Sequence, residues 1–207
     1  MVTIPKHLIV FCKVPVPGRV KTRLALDIGN ENACRVHEHL VRRLQSFLSK
    51  TDFIVWWYSD GSWPEMEACY GDRFRLQSGN DLGEKMYRAL VEVQSISGTN
   101  PVLIGSDCPD IDEPTINKAF QAVEKYDVVF GPSLDGGYYL VGITGQYPFL
   151  FSGIRWSSSD VLKVSLQKCH MHKISVSLVD TLKDIDEYCD LLRSSIYPWY
   201  QKEIEKK

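Results

Sequence analysis

The stretch HLIVFCKVPVPGRVKTR, residues 7–23, decides the fold because it joins a buried strand to a cationic loop. Residues 7–11 form a continuous apolar run, which is typical of a strand that is covered on both faces. Prolines and a glycine follow, and these residues end the strand in a loop. We therefore expect this segment to be an interior strand of a parallel sheet.

Similar apolar runs alternate with helical patterns along the rest of the chain. The predicted strands are 7–11, 52–59, 73–77, 101–104, 127–130, 138–143 and 173–179, and the predicted helices are 31–50, 64–69, 82–93, 112–126, 157–168 and 185–200. This alternation predicts a mainly parallel sheet between two layers of helices, a three-layer α/β/α fold. No repeat or interdomain linker interrupts it, so we expect a single domain over residues 1–207.

The composition is that of an ordinary globular protein, with 44% hydrophobic and 24% charged residues. A net charge of −2 argues against a general affinity for nucleic acid or acidic membranes. No stretch approaches the ~20 apolar residues of a membrane span, and the first apolar run is too short for a signal peptide. The six cysteines are widely spaced, without a Cys-x-x-Cys pair, so we expect free thiols and a cytoplasmic protein.

The loop after the first strand carries four cations within eleven residues. Arginine offers bidentate hydrogen bonds to phosphate, and lysine offers a mobile point charge. The loop matches neither a Walker A motif nor a dinucleotide-binding glycine motif. It predicts a compact cradle for nucleotide phosphates, with a solvated basic loop as the alternative. The predicted nucleotide-binding residues here are Lys13, Gly18, Arg19, Lys21 and Arg23.

A second candidate site, Gly-Ser-Asp-Cys-Pro-Asp at residues 105–110, follows another short buried strand. Magnesium on phosphates usually takes one or two protein carboxylates, and a carboxylate at a strand's end can supply one. Asp107 lies at the turn itself and is the predicted ligand, whereas Asp112 is predicted to cap the next helix. His37 and His39 are excluded as a metal pair, because residues two apart on a helix point to different sides.

Two glycine-containing segments are further candidates. In Asp135-Gly136-Gly137 the glycines let the backbone approach a ligand, and Asp135 can supply a second carboxylate or bind a substrate hydroxyl. Asp-Gly is also a strong turn signal, so a tight hairpin is the alternative. The segment 78–86 opens a predicted helix, where Asp81 either caps the helix or faces a nucleotide.

Taken together, the motifs resemble those of one known family. The segments are FCKVPVPGRVKTRL (11–24), GNDLG (79–83), GSDCP (105–109) and GPSLDGGYYL (131–140), with WSSSDVL (156–162) and LKDID (182–186) similar to later blocks. They are similar to the glycosyltransferase-A-like family of bacterial and archaeal proteins often labelled radical-SAM/selenodomain-associated transferases. The resemblance covers nearly the whole chain. It implies the nucleotide-diphospho-sugar transferase fold, which glycosyltransferases share with nucleotidyltransferases.

The resemblance also implies a role for individual residues. The four cations of the first loop would contact the phosphates of the nucleotide. Asp81 and Gly83 would line the base or ribose pocket. Asp107 would bind Mg²⁺ or Mn²⁺, and Asp135 would be a second metal ligand or the carboxylate at the acceptor site. Asp107 and Asp135 are thus the predicted catalytic residues.

Three functions stay open at this point. A glycosyltransferase would release a nucleoside diphosphate while an acceptor hydroxyl attacks the sugar, with Asp135 as the base. A nucleotidyltransferase would join a nucleotide to a phosphorylated acceptor and release pyrophosphate. A catalytically silent nucleotide-binding protein is the third. The partners are a nucleotide or nucleotide-sugar donor and a small-molecule acceptor of unknown identity.

Overall fold

A computed structural model describes residues 4–205, so residues 1–3 and 206–207 of the predicted domain lie outside the described residues. The strands are β1 His7–Cys12, β2 Ile54–Ser59, β3 Phe74–Leu76, β4 Val102–Gly105, β5 Val128–Pro132, β6 Tyr138–Ile143 and β7 Val176–Leu178. The helices are α1 Ala25–Ile28, α2 Asn30–Leu48, α3 Pro64–Tyr70, α4 Leu82–Ser97, α5 Glu113–Ala122, α6 Pro148–Phe151, α7 Val161–Met171, α8 Tyr188–Leu192 and α9 Tyr197–Tyr200. A 3₁₀ turn, Gly71–Arg73, precedes β3, and a π-helical segment, Gln201–Glu205, follows α9.

Seven strands form one sheet in the order β3-β2-β1-β4-β6-β5-β7. All pairings are parallel except those of β6, which runs antiparallel to β4 and to β5. The sheet thereby confirms the predicted mainly parallel α/β fold. Since β6 runs backwards, its first residues lie at the same edge as the carboxyl ends of the parallel strands.

Helices cover both faces of the sheet, because successive residues of a strand point to opposite sides. On one face Leu8 and Val10 pack with α2 and α5. On the other face Ile9 and Phe11 pack with α4, α6 and α7. All four side chains are buried. The continuous apolar run of β1 therefore reflects two cores that meet at one central strand.

The last predicted helix is wrong at its start. The sequence pattern predicted a helix from residue 185, but the chain stays extended until α8 begins at Tyr188. The amide of Leu182 donates to Pro132 O, and the amide of Ile185 donates to Asp107 O. These bonds hold the segment against the β5 end and the 105–110 loop. Tertiary hydrogen bonds here outweigh the local helical pattern.

Candidate active site

A cleft of about 560 Å³ opens at the carboxyl edge of the sheet. It lies beyond β1 and β4, where the strand order reverses direction along the sheet. Ligands of open α/β sheets bind at this position, because the loops that follow the two strands diverge there. The loop 13–23 forms one wall of the cleft, and we call it the cationic wall. Asp135 and Asp184 also line the cleft, and we call these two carboxylates the acidic wall.

Two cations of the cationic wall are exposed and unpaired. Lys13 and Arg19 line the cleft, and within residues 4–205 neither forms an ion pair. The loop turns at Gly18, whose φ of 78° lies in the left-handed region that favours glycine. The amide of Arg19 donates to Val16 O at 3.0 Å and closes this turn. The loop therefore presents two free positive charges, with Gly18 as the hinge of the turn rather than a residue lining the cleft.

Lys21 is placed differently, since its side chain is only 4% exposed. Its ammonium lies 2.6 Å from Asp107 Oδ1 and donates to Ile185 O at 2.7 Å. The backbone of Lys21 is in the left-handed region, with φ 48°, a conformation that costs energy for a residue with a side chain. The predicted phosphate-binding lysine is thus held by a carboxylate and a carbonyl beneath the cleft surface.

Asp107 connects the cationic wall to the interior. Its side chain is 49% exposed, yet Oδ1 is buried and is held by the Lys21 ammonium. Burial opposes ionisation of Asp107, but the Lys21 ammonium and His37 outweigh it and hold the pKa of Asp107 well below its ordinary value. Asp107 is therefore ionised at neutral pH, with one face towards the cleft.

His37 supports Asp107 from behind, although the sequence pattern did not select it. Its Nδ1 lies 3.8 Å from Asp107 Oδ1. Its Nε2 lies 2.9 Å from Lys13 O and must donate to it, because a carbonyl oxygen only accepts, so Nδ1 can donate towards Asp107 only when the ring carries both protons. The ring is buried, at 3% exposure, on the apolar stripe of α2. A polar residue on that stripe was the signal that could have identified His37.

The acidic wall contains one predicted carboxylate and one that was missed. Asp135 is exposed, and its Oδ1 accepts a hydrogen bond from the amide of Gly137 at 2.9 Å. Asp184 accepts a hydrogen bond from the Ser133 hydroxyl at 2.9 Å. Burial raises the pKa of Asp184, Ser133 opposes that rise, and the charge of Asp135 adds to it. Asp184 was missed because its segment was expected to lead directly into a helix.

The Asp135-Gly136-Gly137 segment forms the hairpin between β5 and β6. Gly136 has φ 92°, and a Cβ there would overlap the backbone carbonyl of Ser159. The close approach that this glycine permits is therefore to the segment before α7. The glycines thus form the tight hairpin that was the alternative interpretation of this segment. Asp135 itself lines the cleft.

Arg23 completes the cationic wall through an exposed ion pair. Its guanidinium donates to Asp186 Oδ2 at 2.8 Å, and both side chains are about half exposed. The partner comes from the same extended segment that carries Asp184. Two of the four predicted phosphate ligands, Lys21 and Arg23, thus have protein carboxylates as partners.

Asp81 and Gly83 serve the start of α4. Asp81 is the N-cap, and its Oδ1 accepts a hydrogen bond from the amide of Glu84 at 2.8 Å. Gly83 is buried, and a Cβ there would overlap Phe151 O and the Trp156 ring. The residues of this region that line the cleft are instead Gln77, Leu82 and Met86. The predicted base-pocket roles of Asp81 and Gly83 stay predictions.

A divalent metal fits this site only together with a ligand. Among residues 4–205, no three His, Cys, Asp or Glu side chains are placed to hold a metal. A magnesium ion on nucleotide phosphates needs only one or two carboxylates, with phosphate and water oxygens completing its shell. Oδ1 of Asp107 is buried and held by the Lys21 ammonium, but the side chain is 49% exposed, so its exposed face is a donor of this kind. Asp107 and Asp135 thus fit a metal that arrives with the donor.

Solved structures with this fold span almost the whole chain. A candidate nucleotide-diphospho-sugar transferase from Desulfovibrio desulfuricans G20 is 29% identical, with a TM-score of 0.83 over 95% of this chain and 94% of that one. The inositol-1-phosphate CTP transferase from T. maritima is 14% identical, with a TM-score of 0.59 over 99% and 98%. Rv0371c from Mycobacterium tuberculosis H37Rv, solved with manganese, is 14% identical, with a TM-score of 0.54 over 92% and 97%.

These similarities confirm the predicted nucleotide-diphospho-sugar transferase fold, and the similarity to the Desulfovibrio desulfuricans structure supports a role as a transferase enzyme. The two likenesses at 14% identity carry the fold alone. None of the described helices is long and apolar enough to cross a membrane. The search of curated protein sequences found no match. The family model described as "Uncharacterized protein conserved in bacteria (DUF2064)" matches residues 43–158, more than half of the chain, and the chain therefore belongs to this family.

Proposed function

We propose that this protein is a metal-dependent glycosyltransferase that acts from a nucleotide sugar on a small-molecule acceptor. The observation that carries the proposal is the meeting of Lys13, Arg19 and Asp107 in one cleft at the carboxyl edge of the sheet. Free cations and an ionised carboxylate at this position suit the phosphates of a nucleotide and a divalent metal. The free thiols of all six cysteines fit our proposal of a cytoplasmic protein.

The cationic wall leaves two cations available for the phosphates of a donor. Of its four cations, Lys21 and Arg23 are compensated by Asp107 and Asp186. Lys13 and Arg19 stay available, and their two positive charges suit the diphosphate of a nucleotide sugar. A divalent metal would cancel two negative charges of a triphosphate, so charge alone does not separate the two donors. The donor phosphates would lie along Lys13 and Arg19, next to Asp107.

The acidic wall suits an acceptor hydroxyl. In the proposed step the hydroxyl oxygen forms a bond to the anomeric carbon, and the bond from that carbon to the diphosphate oxygen breaks. The nucleoside diphosphate leaves with the bonding electrons, and the hydroxyl proton passes to a carboxylate. Asp135 is the proposed base, and Asp184, whose pKa is raised, is equally placed on the cleft.

Asp107 would hold Mg²⁺ or Mn²⁺ on the donor phosphates, and if Asp135 is the second ligand, the base is Asp184 instead. A divalent ion there supplies charge that stabilises the departing diphosphate. The protein's own share is positioning: Lys21 and His37 hold Asp107 ionised, and Lys13 and Arg19 orient the phosphates. Oxygen ligands of this kind suit either ion.

Nucleotidyl transfer is the second candidate. The fold is compatible with it, because the inositol-1-phosphate CTP transferase from T. maritima shares this fold over 99% of this chain. In that reaction the acceptor phosphate would attack the α-phosphate of a nucleoside triphosphate, and pyrophosphate would leave. Both reactions use the cationic wall and Asp107, so the released product separates them. A catalytically silent protein would bind the nucleotide and release neither product.

The test is a thermal-shift screen of nucleotide sugars and nucleoside triphosphates with Mg²⁺ or Mn²⁺. A true donor raises the melting temperature by mass action, and Asp107→Asn should remove the metal-dependent part of that rise. Asp110→Asn is the matched control, since Asp110 is an exposed carboxylate of the same loop. A full metal-dependent shift in Asp107→Asn would contradict the metal site. Release of nucleoside diphosphate supports glycosyl transfer, and release of pyrophosphate supports the second candidate.

A further inference from the structure

Gln77 lines the cleft near apolar side chains, and the nitrogen of its side-chain amide already forms hydrogen bonds. Its Nε2 donates to two backbone carbonyls, Cys12 O and Tyr58 O, each at 3.0 Å. Carbonyl oxygens only accept, so the amide nitrogen must face them and the amide cannot be flipped. The remaining atom, Oε1, accepts no hydrogen bond from the described residues. Gln77 thus offers the cleft a fixed acceptor.

The surroundings of Gln77 suit a nucleobase rather than a phosphate. Phe11, Leu82 and Met86 line this end of the cleft, and Leu82 is exposed. Apolar side chains with one convergent polar atom are typical of a pocket for a flat, partly polar ring. The acidic wall instead presents carboxylates, which repel phosphates and suit hydroxyl groups. Tyr138 and Trp156, which also line the cleft, pack against the cluster that contains Phe11 and Met86. If the phosphates lie on Lys13 and Arg19, this apolar cluster beside Gln77 offers the base a surface.

We propose that Gln77 selects a nucleotide whose base carries an exocyclic amine, by accepting a hydrogen bond from that amine on Oε1. This inference rests on the proposed function, because it assigns the base of the same donor. An exocyclic amine projects from the ring and donates to a single acceptor. In uracil and hypoxanthine the ring N–H is flanked by a carbonyl oxygen, which would come close to Oε1 and repel it. Cytosine, adenine and guanine nucleotides therefore belong to the preferred class.

The rigidity of Gln77 strengthens the selection. The backbone N–H of Gln77 donates to Ser59 O at 2.8 Å, so the backbone at Gln77 continues the pairing of β2 with β3. With backbone and amide nitrogen both held, Oε1 cannot turn away from an unsuitable base. A fixed acceptor discriminates against a base that lacks the donor or offers only a ring N–H beside a repelling carbonyl, because the acceptor is then desolvated with no partner or a poorer one.

The experiment compares nucleoside diphosphates in matched pairs by titration calorimetry with Mn²⁺. The pairs are CDP with UDP, GDP with IDP, and ADP with purine riboside diphosphate; the last two differ only in the amine. For the ring that binds most tightly, we expect the amino member to bind about tenfold more tightly than its partner in the wild-type protein. This comparison needs no variant, so a folding defect cannot obscure it.

Gln77→Met then tests the assignment to this residue, because methionine keeps the length and apolar volume and removes the acceptor. We expect the amine preference to disappear in Gln77→Met while the affinity for inorganic pyrophosphate is unchanged. Gln94→Met is the matched control: Gln94 also donates Nε2 to two acceptors, Asn100 Oδ1 and Thr144 O, and it does not line the cleft. Gln94→Met should keep the preference.

Each outcome bears on one of the two proposals. Nucleotide binding without an amine preference in the wild-type protein would overturn the role of Gln77 and leave the proposed function intact. A preference that persists in Gln77→Met would assign the selection to another group and likewise overturn it. Binding of no nucleotide by the wild-type protein would overturn the proposed function and this inference with it.

Discussion

The cleft has two carboxylates whose pKa values move in opposite directions, one paired with the cationic wall and one on the acidic wall. Beside the cationic wall, Lys21 and His37 hold the pKa of Asp107 below its ordinary value, against the effect of burial. On the acidic wall burial and the charge of Asp135 raise the pKa of Asp184. Carboxylates of one site whose pKa values are shifted in opposite directions take different roles. Asp107 suits a permanent charge that holds a metal, and Asp184 suits a group that exchanges a proton.

The walls also differ in what supports them. The cationic wall is held by an ion pair between residues far apart in sequence, Lys21 and Asp107. The acidic wall is held by backbone packing, because the hairpin after β5 fits against Ser159 through Gly136. Loss of a side-chain charge should therefore weaken the first wall, and a small steric change should weaken the second.

The largest loss of stability is expected for Gly136→Ala, in the hairpin that carries the acidic wall. The added methyl group would overlap the Ser159 carbonyl in a backbone conformation that alanine disfavours, so we expect a loss of about 3 kcal/mol in the free energy of unfolding. Urea denaturation measures this loss. Gly153→Ala is the control, since Gly153 also has a positive φ but a Cβ there meets no atom within 4 Å. Equal losses in both variants would show that the contact with Ser159 does not support the hairpin.

Lys21→Met should cause the next largest loss in the free energy of unfolding, about 1 to 2 kcal/mol. This loss is below the value for a fully buried ion pair, because Asp107 is half exposed. The variant leaves the buried Oδ1 of Asp107 without its cation. Lys13→Met, at an exposed residue of the same loop, should change stability by less than about 0.5 kcal/mol. A loss no larger than that of Lys13→Met would contradict the supporting role of the ion pair.

The ion pair also predicts a pH dependence. A carboxylate whose folded pKa is lowered stabilises the fold above its unfolded pKa, about 3.9, and this contribution is lost as the pH falls below that value. Asp107 should therefore contribute to acid denaturation of the wild-type protein. In Lys21→Met the loss of stability between about pH 4 and pH 2 should be smaller, as measured by urea denaturation across that range.

Asp184→Asn should stabilise the protein at neutral pH, opposite to the effect of Lys21→Met. A carboxylate with a raised folded pKa binds its proton more tightly in the folded state, so its contribution to stability falls as the pH rises past about 4. Asparagine keeps the acceptor for the Ser133 hydroxyl and removes the charge beside Asp135. Without metal at pH 7 we expect the melting temperature to rise by about 2–4 °C, which corresponds to about 1 kcal/mol. A fall in melting temperature at pH 7 would show that Asp184 is stabilised as an anion.

The smallest effect on stability is expected for Arg19→Gln. Arg19 is exposed and has no carboxylate partner within residues 4–205, so the free energy of unfolding should change by less than about 0.5 kcal/mol. Donor affinity should fall about tenfold, because a charge-assisted hydrogen bond to phosphate is lost. Arg43→Gln, at an exposed residue of α2, should leave both quantities unchanged. Unchanged donor affinity in Arg19→Gln would remove Arg19 from the phosphate site.

Much of the fold could be predicted, because its signals are local. The apolar runs of β1, β4 and β6 each lie in a continuous segment, and the caps Asp81 and Asp112 precede their helices directly. The helix predicted from residue 185 was wrong at its start because the contacts that decide this segment are not local. Its first residue, Ile185, donates to Asp107 O, Leu182 just before it donates to Pro132 O, and no pattern within the segment records those partners.

The candidate site divides in the same way. Side-chain chemistry and position after a strand identified Asp107, Asp135 and the cationic loop, since a carboxylate or a cation keeps its charge in any fold. The pairing of Lys21 with Asp107, the support from His37 and the arrival of Asp184 depend on contacts between residues distant in sequence. The sequence by itself thus determined which charges are available and at which edge of the sheet they lie. Only the tertiary structure decided which cations stay free for a ligand, because an ion pair forms where the folded chain brings opposite charges within about 4 Å.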